Sequence, residues 1–295
     1  MTAYSFVTVD VFTERRFGGN PLAVFPDARG LSNEAMQSLA AELNLSETTF
    51  VLPADDPAHT ARVRIFNRTH EMPFAGHPNV GTGFVLAEQG RDRDGLLLFE
   101  EIAGLVEVKV ERDGSGALLG ATIAAPQPLS LGLQLPPETV AACAGLQPAD
   151  VVTAAHPPQL VSVGVAFVLA EVSGAALTHA LPDIAAFRQA LTAWPTLEGR
   201  LSLYLYARDG EGIRARMFAP LAGTYEDPAT GSAATPLAAL LLSLTEAESA
   251  SYNIVQGVEM GRPSLLRTTA RRAADGIRAT VGGNCVPVLR GEALL

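Results

Sequence analysis

Lysine is almost absent from this chain of 295 residues, and Lys109 is the only lysine among 21 basic residues. An enzyme that forms a Schiff base would have to use it, and that chemistry needs a desolvated lysine. Lys109 lies in the segment Val106–Glu111, where valines alternate with charged residues as on a half-exposed strand. Its side chain is therefore expected to face water, which argues against lysine catalysis, including the pyridoxal phosphate kind.

Cysteine and long apolar runs are also scarce. The two cysteines, Cys143 and Cys285, lie far apart and outside any CxxC arrangement, which is typical of reduced thiols in a cytoplasmic protein. No run of 18 apolar residues occurs, and no basic segment precedes an apolar core at the N-terminus. We therefore expect a cytoplasmic protein without a membrane span.

Positive charge is in deficit, with 31 acidic against 21 basic residues and a net charge of -10. Such a field repels phosphate backbones and anionic lipids, so neither nucleic acid nor a membrane is an expected partner. The five histidines show no metal-ligand spacing, and HExxH, GxSxG and the glycine-rich nucleotide fingerprints are missing. No metal is therefore expected.

Nearly half of the residues are apolar, and their patterns predict more strands than helices, by about two to one. Several strands follow one another without a helix, and a single long strand is predicted over residues 160–171. This order favours an α+β fold over a doubly wound parallel sheet. The proline-bearing stretch Ala125–Ser130 is the candidate linker.

One motif recurs at half the chain length. His77-Pro78-Asn79-Val80-Gly81-Thr82 and Asp227-Pro228-Ala229-Thr230-Gly231-Ser232 share the pattern [His/Asp]-Pro-x-x-Gly-[Ser/Thr], 150 residues apart. Each opens an apolar run, which predicts helices that begin near the two prolines, with His77 and Asp227 as N-caps. Free backbone N–H groups at such helix starts bind carboxylates or enolates. The plainer alternative is two ordinary capped helices.

Three titratable side chains could carry proton chemistry. Glu47 lies where a helix end meets an apolar strand, and a carboxylate there can shuttle protons. His77 and Asp227 stand at the two repeated motifs, and Thr82 and Ser232 offer hydroxyls nearby. Taken alone, Glu47 could be a surface residue, and His77 and Asp227 could be caps only.

Together these segments resemble the PhzF family of phenazine-biosynthesis-like isomerases over essentially the whole chain. The segments are Arg16-Phe17-Gly18-Gly19-Asn20-Pro21-Leu22-Ala23-Val24, Leu45-Ser46-Glu47-Thr48, Ala75-Gly76-His77-Pro78, Glu226-Asp227-Pro228-Ala229-Thr230-Gly231-Ser232-Ala233 and Gln256-Gly257-Val258-Glu259-Met260-Gly261-Arg262-Pro263-Ser264.

The resemblance implies a diaminopimelate-epimerase-like fold of two pseudo-symmetric lobes, each a β-barrel-like sheet around a central helix. We assign residues 1–126 and a returning strand at 280–295 to one lobe and residues 127–279 to the other, with the active site in the cleft between them. The implied enzyme is a cofactor-free isomerase that moves a double bond in a dihydro-hydroxyanthranilate, and a homodimer.

By the same resemblance, Glu47, His77 and Asp227 are the catalytic residues. The residues that would bind a small carboxylate substrate are Ser46, Gly76, Gly231 and Ser232.

Related epimerases and racemases use a cysteine pair at the two helix starts, where this chain has His77 and Asp227, so two-thiol chemistry is disfavoured. Many relatives have Thr where this chain has Asn79, which is expected to alter the shape of the substrate. Our hypothesis is that Glu47 acts as general base and then as general acid. The alternatives are an epimerase or racemase of an amino or hydroxy acid, and a non-catalytic protein that binds a small ligand.

Overall fold

The structure of the protein is a computed structural model that describes residues 2–197, 199–210 and 212–295. Within these residues, the α-helices are α1 (Asn33–Leu43), α2 (Gly76–Glu88), α3 (Pro137–Ala144), α4 (Gly174–His179), α5 (Ile184–Ala193) and α6 (Gly231–Ser243). The strands are β1 (Ala3–Val11), β2 (Asn20–Phe25), β3 (Glu47–Leu52), β4 (Ala61–Phe66), β5 (Glu71–Met72), β6 (Leu96–Glu101), β7 (Gly104–Arg112), β8 (Leu118–Ala124), β9 (Ser130–Gln134), β10 (Val151–Val152), β11 (Gln159–Ser162), β12 (Ala166–Val172), β13 (Leu203–Asp209), β14 (Gly212–Ala219), β15 (Thr224–Asp227), β16 (Ser249–Gln256), β17 (Ser264–Ala273) and β18 (Gly276–Leu294).

The chain divides into two compact units. Unit 1 contains Met1–Ala124 and Val281–Leu295, and unit 2 contains Ala125–Thr280. The long strand β18 therefore gives its first residues to unit 2 and the rest to unit 1.

The strands of unit 1 form a closed ring. Hydrogen bonds connect β18 to β1, then β2, β3, β4, β6, β7 and β8, and β8 pairs again with β18. The pairs β2–β3 and β4–β6 are parallel, whereas β18–β1, β1–β2, β3–β4, β6–β7 and β7–β8 are antiparallel. Because a closed ring has no free strand edge, it forms a barrel.

Helix α2 fills this barrel. Every residue from Gly76 to Ala87 is buried, and the helix packs against β1, β2, β3, β7 and β8. Two glycines permit the close approach, because a Cβ on Gly81 would lie 2.6 Å from Leu22 Cδ2 and one on Gly83 would lie 2.5 Å from Val108 Cγ1. A barrel interior requires a helix that can be buried on all sides, and α2 has no solvent-exposed polar face.

Unit 2 repeats the same plan. Its sheet runs through β9, β11, β12, β13, β14, β16 and β17, with parallel pairs at β12–β13 and β14–β16. The first part of β18 follows β17, where the Thr269 and Thr280 hydroxyls are hydrogen-bonded (2.6 Å). The Leu129 N–H, just before β9, donates to the Ile277 carbonyl (2.8 Å). The buried helix α6 packs against β11, β12, β16 and β17.

The predicted α+β fold of two similar β-barrel-like sheets, each around a central helix, is therefore confirmed, but the structural repeat differs from the sequence motif. Helices α2 and α6 both have 13 residues, and they begin at Gly76 and Gly231, 155 residues apart rather than 150. Pro78 is the third residue of α2, whereas Pro228 lies three residues before α6. The predicted alignment of the two His/Asp-Pro dipeptides is wrong by five residues.

One predicted strand is also wrong. Residues 160–171 form the hairpin of β11 and β12, not a single strand, and the antiparallel pairing of Gln159 with Leu169 shows the reversal. Gly164 lies in the turn with a φ of 137°, a conformation that favours glycine. In the described part of the chain, no helix is both long and apolar enough to cross a membrane.

Candidate active site

Glu47 and His77 meet in unit 1. Glu47 is the first residue of β3 and pairs in parallel register with Leu22 of β2, while His77 is the second residue of α2. Their Oε2 and Nε2 atoms are 3.4 Å apart, and the side chains are 16% and 7% exposed, respectively. The barrel therefore holds a carboxyl group and an imidazole together at the start of its central helix, with the carboxyl group the more accessible.

The imidazole of His77 is neutral. Burial lowers its pKa from 6.5 to about 3. Nε2 is buried and accepts or donates no hydrogen bond within the described residues, and it lies 3.4 Å from Glu47 Oε2. Because the pKa of His77 lies below the ordinary pKa of a carboxylic acid, the imidazole does not take the carboxyl proton, but its Nε2 can accept a hydrogen bond from a protonated Glu47.

Helix α2 begins without a side-chain cap. Ala75 occupies the N-cap position with extended backbone angles (φ -152°, ψ 144°), and its methyl group cannot cap the helix. The prediction that His77 is the N-cap is therefore wrong, because the residue already lies inside the helix. Uncapped N–H groups and the helix dipole at Gly76 and His77 can stabilise a carboxylate or an enolate.

Two hydroxyls of this region have structural partners. Ser46 Oγ donates to Asn20 Oδ1 (2.9 Å) and so ties the residue before β3 to the start of β2. Thr82, expected from the sequence to be available to a ligand, is fully buried and hydrogen-bonded to the Thr49 hydroxyl (2.8 Å). Thr82 therefore connects α2 to β3, and the expectation that its hydroxyl contacts a ligand is wrong.

In unit 2, Asp227 ends β15 and is buried. The Thr230 hydroxyl donates to Asp227 Oδ2 (2.5 Å), and Thr230, not Asp227, is the N-cap of α6. The predicted capping role of Asp227 is therefore wrong. The Thr230 side chain does not cap α6, whose first residue, Gly231, is buried and whose second, Ser232, is half-buried.

A residue absent from the sequence-based set organises this loop. The fully buried Gln256 at the end of β16 donates from Nε2 to the Asp227 carbonyl (2.8 Å) and to Thr230 Oγ1 (3.0 Å). Its Oε1 accepts from the Thr230 N–H (3.2 Å) and the Tyr204 hydroxyl (3.1 Å). All four hydrogen-bonding positions of the amide are used, so Gln256 fixes the backbone that carries Asp227. Because its partners lie 26 and 52 positions away in the chain, no local sequence signal marks the role of Gln256.

The remaining candidate groups lie elsewhere. Cys143 and Cys285 are buried, in α3 and β18, and burial together with Asp183 raises the pKa of the Cys143 thiol to about 12. Lys109 is exposed on β7. Among the residues that the structure covers, no group of three His, Cys, Asp or Glu side chains could hold a metal ion.

Comparison with known proteins gives a consistent result across the chain. A model of the phenazine biosynthesis-like protein family (PhzC-PhzF) matches residues 9–291. The trans-2,3-dihydro-3-hydroxyanthranilate isomerase of Pseudomonas aeruginosa is 38% identical and covers 99% of this chain and 100% of its own length.

Solved structures agree in fold. A PhzF-family phenazine biosynthesis protein of Bacillus anthracis matches with a TM-score of 0.87 at 24% identity, covering all of both chains. A predicted epimerase of Pseudomonas aeruginosa matches at 0.80 with 33% identity over 99% of each chain. A hydroxyproline epimerase of Agrobacterium vitis, 14% identical, matches at 0.64 over 99% of this chain and 93% of its own. The last similarity concerns the fold alone, which is that of the diaminopimelate-epimerase-like proteins.

Proposed function

This chain belongs to the PhzF family of phenazine biosynthesis-like isomerases, and from that premise we propose that it moves a proton and a double bond within a small unsaturated carboxylate. It is an isomerase, and the proposal concerns its chemistry and its substrate. The observation that carries the proposal is the Glu47–His77 pair, 3.4 Å apart beside an uncapped helix start. No cofactor takes part in the proposed reaction.

In the proposed reaction, the Glu47 carboxylate removes a proton from a saturated carbon next to the double bond of the substrate. The C–H electron pair enters the π system, and the resulting dienolate is stabilised by the N–H groups at the start of α2. Glu47, now protonated, returns the proton to another carbon of the same system, so the double bond moves and the formula is unchanged.

The neutral His77 serves this cycle in two ways. Its Nε2 can accept a hydrogen bond from the protonated Glu47 between the two steps, so the proton stays on the carboxyl group that returns it. Its burial also keeps a second charge away from Glu47. In unit 2, we assign Asp227 to proton transfer and Gly231 and Ser232 to substrate binding, as the sequence resemblance implies.

The experiment is solvent-deuterium exchange with a panel of small unsaturated carboxylates and amino carboxylates, including dihydro-hydroxyanthranilate, followed by mass spectrometry. We expect deuterium in one class of substrate, and a loss of about 10²- to 10⁴-fold in Glu47→Gln. Glu42→Gln, an exposed carboxyl on α1, is the matched control and keeps full exchange. Full turnover in Glu47→Gln, or no exchange with any carboxylate, would contradict the proposal.

A second candidate is an epimerase of an amino or hydroxy acid, favoured by the 33% identical predicted epimerase. Chiral chromatography of the product separates the two reactions, because an epimerase inverts a centre and leaves every double bond in place. A ligand that binds and is recovered unchanged, without deuterium, would instead indicate the non-catalytic binding protein.

We also propose that the protein is a cytoplasmic homodimer. Light scattering coupled to size-exclusion chromatography tests the dimer, and a mass near 30.9 kDa, that of one chain, would refute it.

A further inference from the structure

Arg216 is a buried cation that the proposed reaction does not use. It lies on β14 in unit 2, and its side chain is 4% exposed. Its Nε and Nη2 atoms donate to the two carboxylate oxygens of Glu226, over 2.8 and 2.9 Å. Two parallel hydrogen bonds of this kind fix the direction as well as the distance between a guanidinium and a carboxylate. We call this pair the Arg216–Glu226 clamp.

The third nitrogen of the guanidinium binds the end of α4. Nη1 of Arg216 donates to the carbonyls of Ala180 (2.7 Å) and Leu177 (3.0 Å). These carbonyls lie at the C-terminal end of α4, where a helix offers its last carbonyls no partner of its own. Arg216 therefore cannot turn away from Glu226 without leaving buried carbonyls unpaired, which is unfavourable.

Apolar packing holds the guanidinium in the same place. It lies over the ring of Phe218, 5.0 Å from the ring centroid, and this ring is fully buried. Phe218 belongs to the apolar cluster that also contains Leu177 and Ala180. Since the Glu226 side chain is only 11% exposed, each charge of the clamp depends on the other for its compensation. The clamp is therefore a rigid unit of β14, β15 and α4.

Glu226 is the residue directly before Asp227. Both residues belong to β15, and successive side chains of a strand point to opposite faces. Glu226 points toward Arg216, whereas Asp227 Oδ2 accepts the hydrogen bond of the Thr230 hydroxyl before α6. The clamp therefore holds the strand that carries Asp227 from the face opposite to Thr230.

The backbone pairing of β15 is short and irregular. The strand has four residues, and its register with β14 places Asp227 opposite Met217 and Thr224 opposite Ala219, with an irregularity between the two pairs. Such an irregularity disrupts the ladder of backbone hydrogen bonds. The side-chain clamp therefore adds a restraint where the backbone ladder is weak.

We propose that Arg216 and Glu226 are positioning residues, which hold β15 against β14 and so set the place of the Asp227 carboxyl group. Gln256 fixes the loop that follows Asp227, and the clamp fixes the strand that precedes it. Because a displacement of about 1 Å at a reacting group can lower a rate by about 10²-fold, this placement has a catalytic consequence. The proposal rests on the proposed function, in which Asp227 transfers a proton.

The first test needs no substrate. Hydrogen exchange of a peptide that covers residues 220–230 is followed by mass spectrometry in wild type, Glu226→Gln and Glu226→Asp. Gln keeps the size of the side chain but loses its charge, and Asp keeps the charge but is one methylene shorter. We expect the amides of β15 to exchange at least about tenfold faster in both variants, since each opens the clamp. Unchanged exchange in both variants would overturn the proposal.

Two controls separate a local opening of β15 from a general loss of stability. Asp92→Asn is the matched variant, because the Asp92 side chain is also 11% exposed and is paired with Arg112 in unit 1. It should leave the exchange of residues 220–230 unchanged. Peptides from β12 and β13 should keep wild-type exchange in the Glu226 variants. Equally faster exchange in those peptides would mean that the pair stabilises the whole of unit 2, and would overturn the positioning role.

The catalytic arm uses the carboxylate that exchanges deuterium, with kcat and KM measured per folded protein. We expect kcat to fall about 10- to 100-fold in Glu226→Gln and in Glu226→Asp. KM should stay within about threefold of wild type, because Gly231 and Ser232, which are assigned to substrate binding, lie on α6 rather than on β15. Asp92→Asn should keep the wild-type kcat. A wild-type kcat in both Glu226 variants would contradict the proposal.

A double variant shows whether the clamp acts through Asp227. In a protein that already carries Asp227→Asn, Glu226→Gln should lower kcat by less than about twofold, since residues that act as a unit are not additive. An equal loss in both backgrounds would overturn the proposal. If Asp227→Asn alone keeps full turnover, or if no carboxylate exchanges deuterium, the proposed function fails at this residue or altogether. The hydrogen exchange of β15 then still decides whether the clamp holds the strand.

Discussion

Gly81→Ala tests whether the packing of α2 against the barrel wall sets the active-site geometry. Gly81 is the sixth residue of α2, and an added Cβ would lie 2.6 Å from Leu22 Cδ2, 2.8 Å from Val11 Cγ2 and 3.2 Å from Val9 Cγ2. All three neighbours are fully buried, so none can turn into solvent. The added methyl group must therefore displace a strand or the helix itself.

Two opposing effects decide the size of the change. Replacing Gly by Ala inside a helix favours the folded state by roughly 0.5 to 1 kcal/mol. Overpacking a close-packed core costs roughly 1 to 3 kcal/mol. We expect a net loss of about 1 to 2 kcal/mol in the free energy of unfolding, because two of the contacts would be shorter than real Cβ contacts and the third would be tight.

A displacement of α2 by the added methyl group should also lower the catalytic activity. His77 lies about one turn before Gly81 on α2, and its Nε2 is 3.4 Å from Glu47. A shift near 1 Å can reduce catalysis by about 10²-fold. The assays are urea unfolding and deuterium exchange, with Gly174→Ala as the control, since a Cβ at this first residue of α4 meets open space. A Gly81→Ala protein as stable and as active as wild type would refute the reasoning.

Three further predictions concern buried polar groups. The pKa of His77 lies near 3 in the folded state and near 6.5 in the unfolded state. The free energy of unfolding of the wild type should therefore fall by up to about 1.4 kcal/mol per pH unit as the pH drops from 6.5 to 3. Urea unfolding of His77→Asn, measured over the same pH range, should lack this dependence. Gln256→Leu removes the acceptor of the Thr230 N–H and of the Tyr204 hydroxyl, and it should lower the free energy of unfolding by roughly 2 to 4 kcal/mol in a urea titration. The control Gln134→Leu changes an exposed glutamine and should lower it by less than about 0.5 kcal/mol. Cys143, whose pKa is raised to about 12, should resist iodoacetamide at pH 8 in the folded protein and react in urea, as mass spectrometry of peptides would show.

The sequence predicts the fold class and the family because these depend on local patterns and on motifs that survive in order along the chain. The same local signals misplace the helix starts. Proline is common at the first helical position, yet Pro78 is the third residue of α2 and Pro228 precedes α6 by three residues. A proline in the sequence indicates that a helix begins nearby, but the tertiary contacts of each barrel determine which residue is the first of the helix.

Local sequence patterns do not predict contacts between residues that lie far apart in the chain. Gln256 reaches Asp227 only because β16 runs beside β14, and His77 meets Glu47 only because α2 fills the barrel. The expectation that Asn79 alters the shape of the substrate stays a prediction, and the structure shows this residue fully buried in the first turns of α2. The roles of Glu47, His77, Asp227 and Ser232 stay predictions until the variants are measured.

The shared strand β18 has a consequence for how the protein is made. Residues 281–295 complete the ring of unit 1 by pairing with β1 at the opposite end of the sequence, down to the mutual hydrogen bonds of Thr2 and Leu295. During synthesis, the outer edges of β1 and β8 therefore stay unpaired until residues 281–295 have been made. Exposed strand edges invite association with other chains, so we expect these two edges to be the places where nascent chains associate.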